Sequence, residues 1–134
     1  MGGVLVRDGK VLLIRRGKEP LRGRWVVPGG TVEPGETLEE ALVREMREET
    51  RLEVAPAGLL AVLDAIHRED GRLVYHYVIL DYLCRYVSGE ARAGSDAEAL
   101  AWAGPDELPG FDLPPKAREV VLEAFSRVAA LDAE

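Results

Sequence analysis

The sequence predicts an α/β domain. Three observations predict it: two Asp-Gly dipeptides that each join β-rich runs, a capped amphipathic segment between those hairpins, and a second amphipathic segment near the end. With 134 residues, 47% of them hydrophobic, the chain has the size of one typical domain and enough apolar material for a core. One domain over residues 1–134 is therefore expected.

The first hairpin joins Gly3 to Arg7 with Lys10 to Arg16 across Asp8-Gly9, a pair suited to the two positive-φ positions of a tight turn. Arg24 to Gly30 reads as a short strand ended by Pro28, Gly29 and Gly30. Pro34-Gly35 supplies a turn, and Thr37 with Glu40 three positions on is a capping-box pattern, which predicts a helix over Thr37 to Thr50. The second hairpin joins Leu59 to His67 with Leu73 to Leu83 across Asp70-Gly71. A loop from Gly94 to Glu98 follows, then a strand over Ala99 to Ala103 and a Pro/Gly-rich stretch. The final helix is expected from about Lys116 to Ala130, started by Pro114-Pro115, with Val120, Val121, Ala124, Phe125 and Val128 on one stripe. No repeat, low-complexity tract or long linker divides the chain.

Twenty-four acidic residues against 17 basic ones give a net charge of -7, which opposes attraction to a nucleic-acid polymer. A small phosphorylated ligand is compatible with that balance, because a few arginines and a metal suffice to hold it. The lone Cys84 excludes an intrachain disulfide and a Cys-rich zinc site, and its apolar surroundings predict a buried thiol. No stretch approaches the ~20 apolar residues of a membrane span, and the start of the chain lacks a basic segment followed by an apolar one. A soluble, cytoplasmic protein is expected.

The helix Thr37 to Thr50 carries the chemistry. At ~100° per residue, Leu38, Ala41 and Leu42 fall within about 60° of Glu45, and so do Glu48 and Glu49, one on either side. Glu39, Glu40, Val43 and Arg47 lie opposite. The apolar stripe thus runs into three carboxylates that repel one another at the negative end of the helix dipole. Burial raises their proton affinity unless a positive charge offsets it. A hard divalent cation such as Mg²⁺ is one offset; pairing of a solvated acidic helix end with Arg44 and Arg47 is the other.

Gly30, Glu36 and Arg44-Glu45-Met46-Arg47-Glu48-Glu49-Thr50-Arg51-Leu52 resemble the twenty-three-residue signature of the Nudix hydrolase family, with every required charged position present. Arg15-Arg16, Gly23-x-Trp25 and Pro28-Gly29-Gly30 look like that family's lead-in. One position departs: Arg51 stands where the family has a glycine, which costs roughly 1 kcal/mol if the left-handed conformation is kept.

The resemblance implies a Nudix fold, a mixed β-sheet sandwiched between α-helices. It implies that Glu45, Glu48 and Glu49 ligate Mg²⁺ or Mn²⁺, that Glu36 supports the site, that Arg44 orients a ligating carboxylate, and that the Gly29 carbonyl completes the metal shell. The reaction it implies is displacement at phosphorus by water. The base is then a glutamate of the signature or a later acidic residue, for which Glu98 is the candidate and Asp96 the alternate.

Substrate-binding candidates are Gly30, Trp25, Arg15 and Arg16. The two arginines are adjacent on a strand and point to opposite faces, so one of them reaches a phosphate. Trp25 is either core or a base-stacking surface, and Tyr75, His76 and Tyr77 are either sheet packing or pocket lining. The partner implied is a small nucleotide, with neither nucleic-acid polymer nor membrane, and a homodimer is compatible. The resemblance is nearest to small bacterial ADP-ribose pyrophosphatases, so ADP-ribose is the expected substrate. Nucleoside triphosphate pyrophosphatase activity and a non-catalytic nucleotide-sensing module are the alternatives.

Overall fold

The computed structural model describes residues 1–19, 21–94 and 96–132; Ser95, within the expected loop, lies outside them, as do Pro20, Ala133 and Glu134. In chain order the elements are β1 (Gly2–Arg7), β2 (Lys10–Arg16), β3 (Trp25–Val26), α1 (Leu38–Thr50), β4 (Glu53–Glu69), β5 (Arg72–Ser88), β6 (Ala97–Ala103), a 3₁₀ segment (Pro105–Phe111) and α2 (Pro115–Asp132). Both Asp-Gly pairs take positive φ, 53° and 74° at Asp8-Gly9 and 51° and 76° at Asp70-Gly71, so the two hairpins turn where their sequence asks.

The strands form one mixed sheet of order β3-β2-β1-β5-β4, with β6 on β2. β1 runs parallel to β5 (Val4 beside Leu83) and antiparallel to β2 (Val6 beside Val11). Alternation along the strands divides the core. Val4, Val11, Leu13 and Leu83 face Val120, Val121 and Ala124 of α2. Their neighbours Leu5, Leu12 and Cys84 face Leu42 and Met46 of α1. The two helices therefore cover opposite faces of the sheet. The fully buried Leu42 and Met46 each contribute roughly 1.5–3 kcal/mol by leaving water. Cys84 is buried as expected, and burial pushes its thiol up to about 12.

Two expectations need correction. Strand β4 begins at Glu53, ahead of Leu59, and passes through Pro56 and Gly58 by register shifts. β4 is an edge strand, where the missing N–H of a proline and a bulge are tolerated. Leu38, expected inward, is 38% exposed, whereas Met46 is fully buried. The buried arc of α1, which runs from Ala41 through Met46 to Thr50, is centred about 60° from Glu45, at Leu42, and Leu38 lies in the first turn.

Candidate active site

The site grows out of the two ends of α1. At its start Thr37 Oγ1 accepts from the Glu40 N–H (3.1 Å) and Glu40 Oε1 accepts from the Thr37 N–H (3.3 Å), closing the predicted capping box. At its end Arg51 adopts φ 64°, ψ 14°, the left-handed conformation, and its N–H donates to the Arg47 carbonyl at 2.9 Å. The segment before β6 supplies two further donors: Arg92 N–H to the Thr50 carbonyl and Gly94 N–H to the Glu49 carbonyl, both 2.9 Å. Gly94 lies so close to the Glu48 carbonyl that a Cβ there would overlap it. The helix is thus closed by tertiary hydrogen bonds, which hold Arg51 in a conformation that favours glycine.

Arg44 ties the signature together. Its Nε and Nη2 donate to Glu36 Oε2 (2.7 Å) and Oε1 (2.9 Å), Nη2 also reaches the Thr31 carbonyl (2.9 Å), and Nη1 donates to Glu45 (2.9 Å) and Glu48 (3.2 Å). Only a planar guanidinium presents donors in that fan. The Arg44 hydrogen bonds, helped by the Glu33 N–H, hold the Glu36 carboxyl below the usual range, and Glu36 in turn raises the Arg44 proton affinity. Both Glu36 oxygens are engaged, so Glu36 serves the site through Arg44. Arg47 turns away to Glu53 (Nη2 to Oε2, 2.9 Å).

The three glutamates form a graded series. Glu49 is 7% exposed, the Glu45 side chain 12% and the Glu48 side chain 55%. Glu45 rests against Gly30, where any Cβ would overlap its carboxylate. Among the described residues no three acidic, histidine or cysteine side chains converge as a ready-made metal cage. The donor chemistry nonetheless fits a hard cation. Glu49 Oε2 is buried without a hydrogen-bond partner. Burial first, then the negative charges of Asp96 and Glu45, pushes the Glu49 carboxyl up to about 7. Uncompensated negative potential at a buried oxygen is what a divalent ion would relieve, and bringing Glu48 into the set needs only rotation of an exposed side chain.

The β2–β6 side supplies the remaining candidates. The positive charges of Lys18 and Arg16 act on Glu49, which places Arg16 toward the carboxylates. Arg15 turns to the other face, with its Nε 3.1 Å from Glu98 Oε2 and its guanidinium 5.8 Å from the Trp25 ring centre. Trp25 packs edge-on against Phe111 at 5.1 Å and against the α2-side core. The backbone joins this lead-in to β1, through Gly3 N–H to the Pro28 carbonyl (2.8 Å), Gly30 N–H to the Met1 carbonyl (3.0 Å) and a bridge between Gly2 and Gly29.

Three residues escaped the sequence reading. Arg22 makes a second ion pair to Glu98 (3.5 Å), and Lys18 pairs with Asp96 (3.0 Å). Both sit in a loop without periodicity, so nothing local marks them. Asp81 is 4% exposed with Oδ1 unpartnered, and burial raises its carboxyl. An acid inside the apolar run Val78 to Cys84 was the available signal. Tyr75, Tyr77 and His76 lie on the outer β4–β5 hairpin: Tyr75 stacks with His67 at 5.3 Å and contacts Tyr77 at 5.1 Å, and His76 Nε2 meets Asp64 Oδ1 at 2.9 Å.

The NUDIX domain model matches residues 2–124. An ADP-ribose pyrophosphatase of Methanocaldococcus jannaschii is 37% identical over 80% of this chain, which spans 62% of that protein's length. A putative 8-oxo-dGTP diphosphatase 2 of Mycobacterium tuberculosis is 40% identical over 88% of this chain and 81% of its own length. The crystal structure of a MutT NUDIX hydrolase from Burkholderia pseudomallei, 38% identical, superposes with a TM-score of 0.75 over 90% of this chain and 92% of that one.

Proposed function

Because the chain belongs to the Nudix hydrolase family, we propose that it is a metal-dependent pyrophosphatase that cleaves ADP-ribose, a nucleoside diphosphate derivative, to AMP and ribose 5-phosphate. The observation that carries the reading is the acidic end of α1: Glu49 with a buried unpartnered oxygen, Glu45 beside it, and Glu48 joined to Glu45 through Arg44. The Methanocaldococcus jannaschii relative's name supports ADP-ribose.

In this reading Glu45, Glu48 and Glu49 would hold Mg²⁺ or Mn²⁺, with the Gly29 carbonyl as a further oxygen and Glu36 fixing the set through Arg44. Such an ion would neutralise bridging phosphate charge and acidify the attacking water. Arg16, on the carboxylate side, stabilises phosphate charge. Gly30 lets the Glu45 carboxylate lie against the backbone, and Trp25 gives an aromatic edge beside Arg15. Asp96, whose charge acts on Glu49, is the later acidic residue placed to accept the proton, because Glu98 stays paired with Arg15 and Arg22 on the opposite face.

A second reading, hydrolysis of nucleoside triphosphates to monophosphate and pyrophosphate, is favoured by the Mycobacterium tuberculosis relative's name. A product-resolved panel of ADP-ribose, NADH, dinucleoside polyphosphates, nucleotide sugars and triphosphates with Mg²⁺ separates them. AMP and ribose 5-phosphate as the fastest-formed products support the proposal, and pyrophosphate release supports the second reading. Binding without turnover of any panel member sinks both.

A further inference from the structure

The stretch that leads from β2 to β3 is basic in an acidic chain. Residues 15–24 hold Arg15, Arg16, Lys18, Arg22 and Arg24 against the single acid Glu19, while the chain as a whole carries -7. These charges divide between the two faces of the sheet. Arg16 and Lys18 act on Glu49, on the carboxylate side. Arg15 and Arg22 share Glu98 on the other face, where Trp25 packs against the α2-side core.

On that face one carboxylate meets two guanidiniums. Glu98 accepts from Arg15 Nε at 3.1 Å and from Arg22 Nε at 3.5 Å. Among the described residues these are the hydrogen bonds that the two guanidiniums make, so the Nη donors of both remain open. Arg44, by contrast, spends all three of its nitrogens on Glu36, Thr31, Glu45 and Glu48. The Arg15 and Arg22 side chains are 43% and 64% exposed, within reach of a ligand. Arg15 also lies 5.8 Å from the centre of the half-buried Trp25 ring, which Phe111 braces edge-on at 5.1 Å.

We propose that Arg15 and Arg22, held together by Glu98 beside Trp25, form a phosphate-monoester site on the sheet face opposite the carboxylates of α1. Charge and shape both fit. A phosphate monoester carries more negative charge than a carboxylate and three acceptor oxygens, which suit the open Nη donors of two planar forks. Glu98 keeps its place on the two Nε groups and sets the distance between the forks. The contacts are those of an exposed ion pair, so the guanidiniums turn toward a ligand without disturbing any element. A sugar or base attached to the phosphate has the Trp25 ring to lie against. The guanidiniums supply the positive charge themselves, and no metal is needed. A small monoester is favoured over the phosphodiesters of a nucleic acid, because the net charge of -7 repels a polyanion.

Isothermal titration calorimetry of the full chain in EDTA, with AMP, ribose 5-phosphate and adenosine as probes up to about 10 mM, tests this. AMP and ribose 5-phosphate are expected to bind without metal, and adenosine, which lacks the phosphate, is not. The double variant Arg15→Gln/Arg22→Gln should weaken both phosphates by at least about tenfold. Glu98→Gln keeps an acceptor for Nε and removes the competing charge, so it should tighten them roughly threefold, the scale of an exposed ion pair. Glu48→Gln, on the carboxylate side, should bind them as the wild type does. Circular dichroism melting identifies a variant that fails to fold, and should the double variant do so, Glu98→Gln decides. Wild-type protein that binds neither phosphate, a folded double variant that binds both as before, Glu98→Gln that binds no more tightly, a folded Glu48→Gln that has lost them, or adenosine that binds as well as AMP overturns the proposal. Because EDTA removes the metal, the result is independent of which nucleotide is cleaved at α1.

Discussion

Arg44 grips Glu36 with two parallel hydrogen bonds, Nε to Oε2 at 2.7 Å and Nη2 to Oε1 at 2.9 Å, across eight residues and the turn that starts α1. The same guanidinium holds Glu45 and Glu48 through Nη1, so one side chain sets the spacing of three carboxylates. Lysine keeps the charge and loses the fork. Arg44→Lys is therefore expected to lower kcat by roughly 10- to 100-fold, the usual loss when a partner that orients a metal ligand is removed. Steady-state kinetics with a titration of Mg²⁺ checks it, and the Mg²⁺ requirement should rise as kcat falls.

Replacing Glu48 or Glu49 with glutamine keeps the shape and removes a charge. Each change is expected to cut turnover by at least about 100-fold while thermal melting still reports a folded protein. EDTA should abolish wild-type activity and Mg²⁺ restore it. Unchanged turnover in either variant removes that residue from the metal role.

The Glu49 carboxyl, pushed up to about 7 from an ordinary 4.5, links stability to pH. Between those values the folded state keeps a proton that the unfolded chain has lost, so stability falls as pH rises from about 4.5 to about 7 and is level in this respect above it. Urea melts of EDTA-treated protein across that window should show the decline. Glu49→Gln should flatten it, and Mg²⁺ should recover stability at pH 8.

Arg51 is left-handed at φ 64° because Arg92 and Gly94 bind the carbonyls just before it. Arg51→Gly relieves that conformation and is expected to stabilise the protein by about 0.5–1 kcal/mol, read as a higher urea midpoint at unchanged slope. Gly94→Ala should do the reverse, because its Cβ meets the Glu48 carbonyl and pushes the approach to Asp96 and Glu98 off the helix. A neutral Gly94→Ala would show that this contact does not hold the helix end.

What the sequence determined by itself is local. The Asp-Gly turns, the Thr37–Glu40 box and the 3.6-residue period of α1 depend on residues within a few positions, and the structure reproduces all three. Period also put Glu45, Glu48 and Glu49 on one side of the helix, and the family signature named them. Their unequal burial, however, depends on where the sheet touches α1. That contact turned the buried arc toward Met46, exposed Leu38 and Glu48, and enclosed Glu49. The partners of Glu98 and Asp96 and the N–H donors that close the end of α1 come from segments 42 to 83 residues away. No periodic pattern encodes pairings at that distance, because they follow from how strands β2 and β6 line up once the chain has folded. The sequence specified which carboxylates share a helix face, and only packing decided which of them left water.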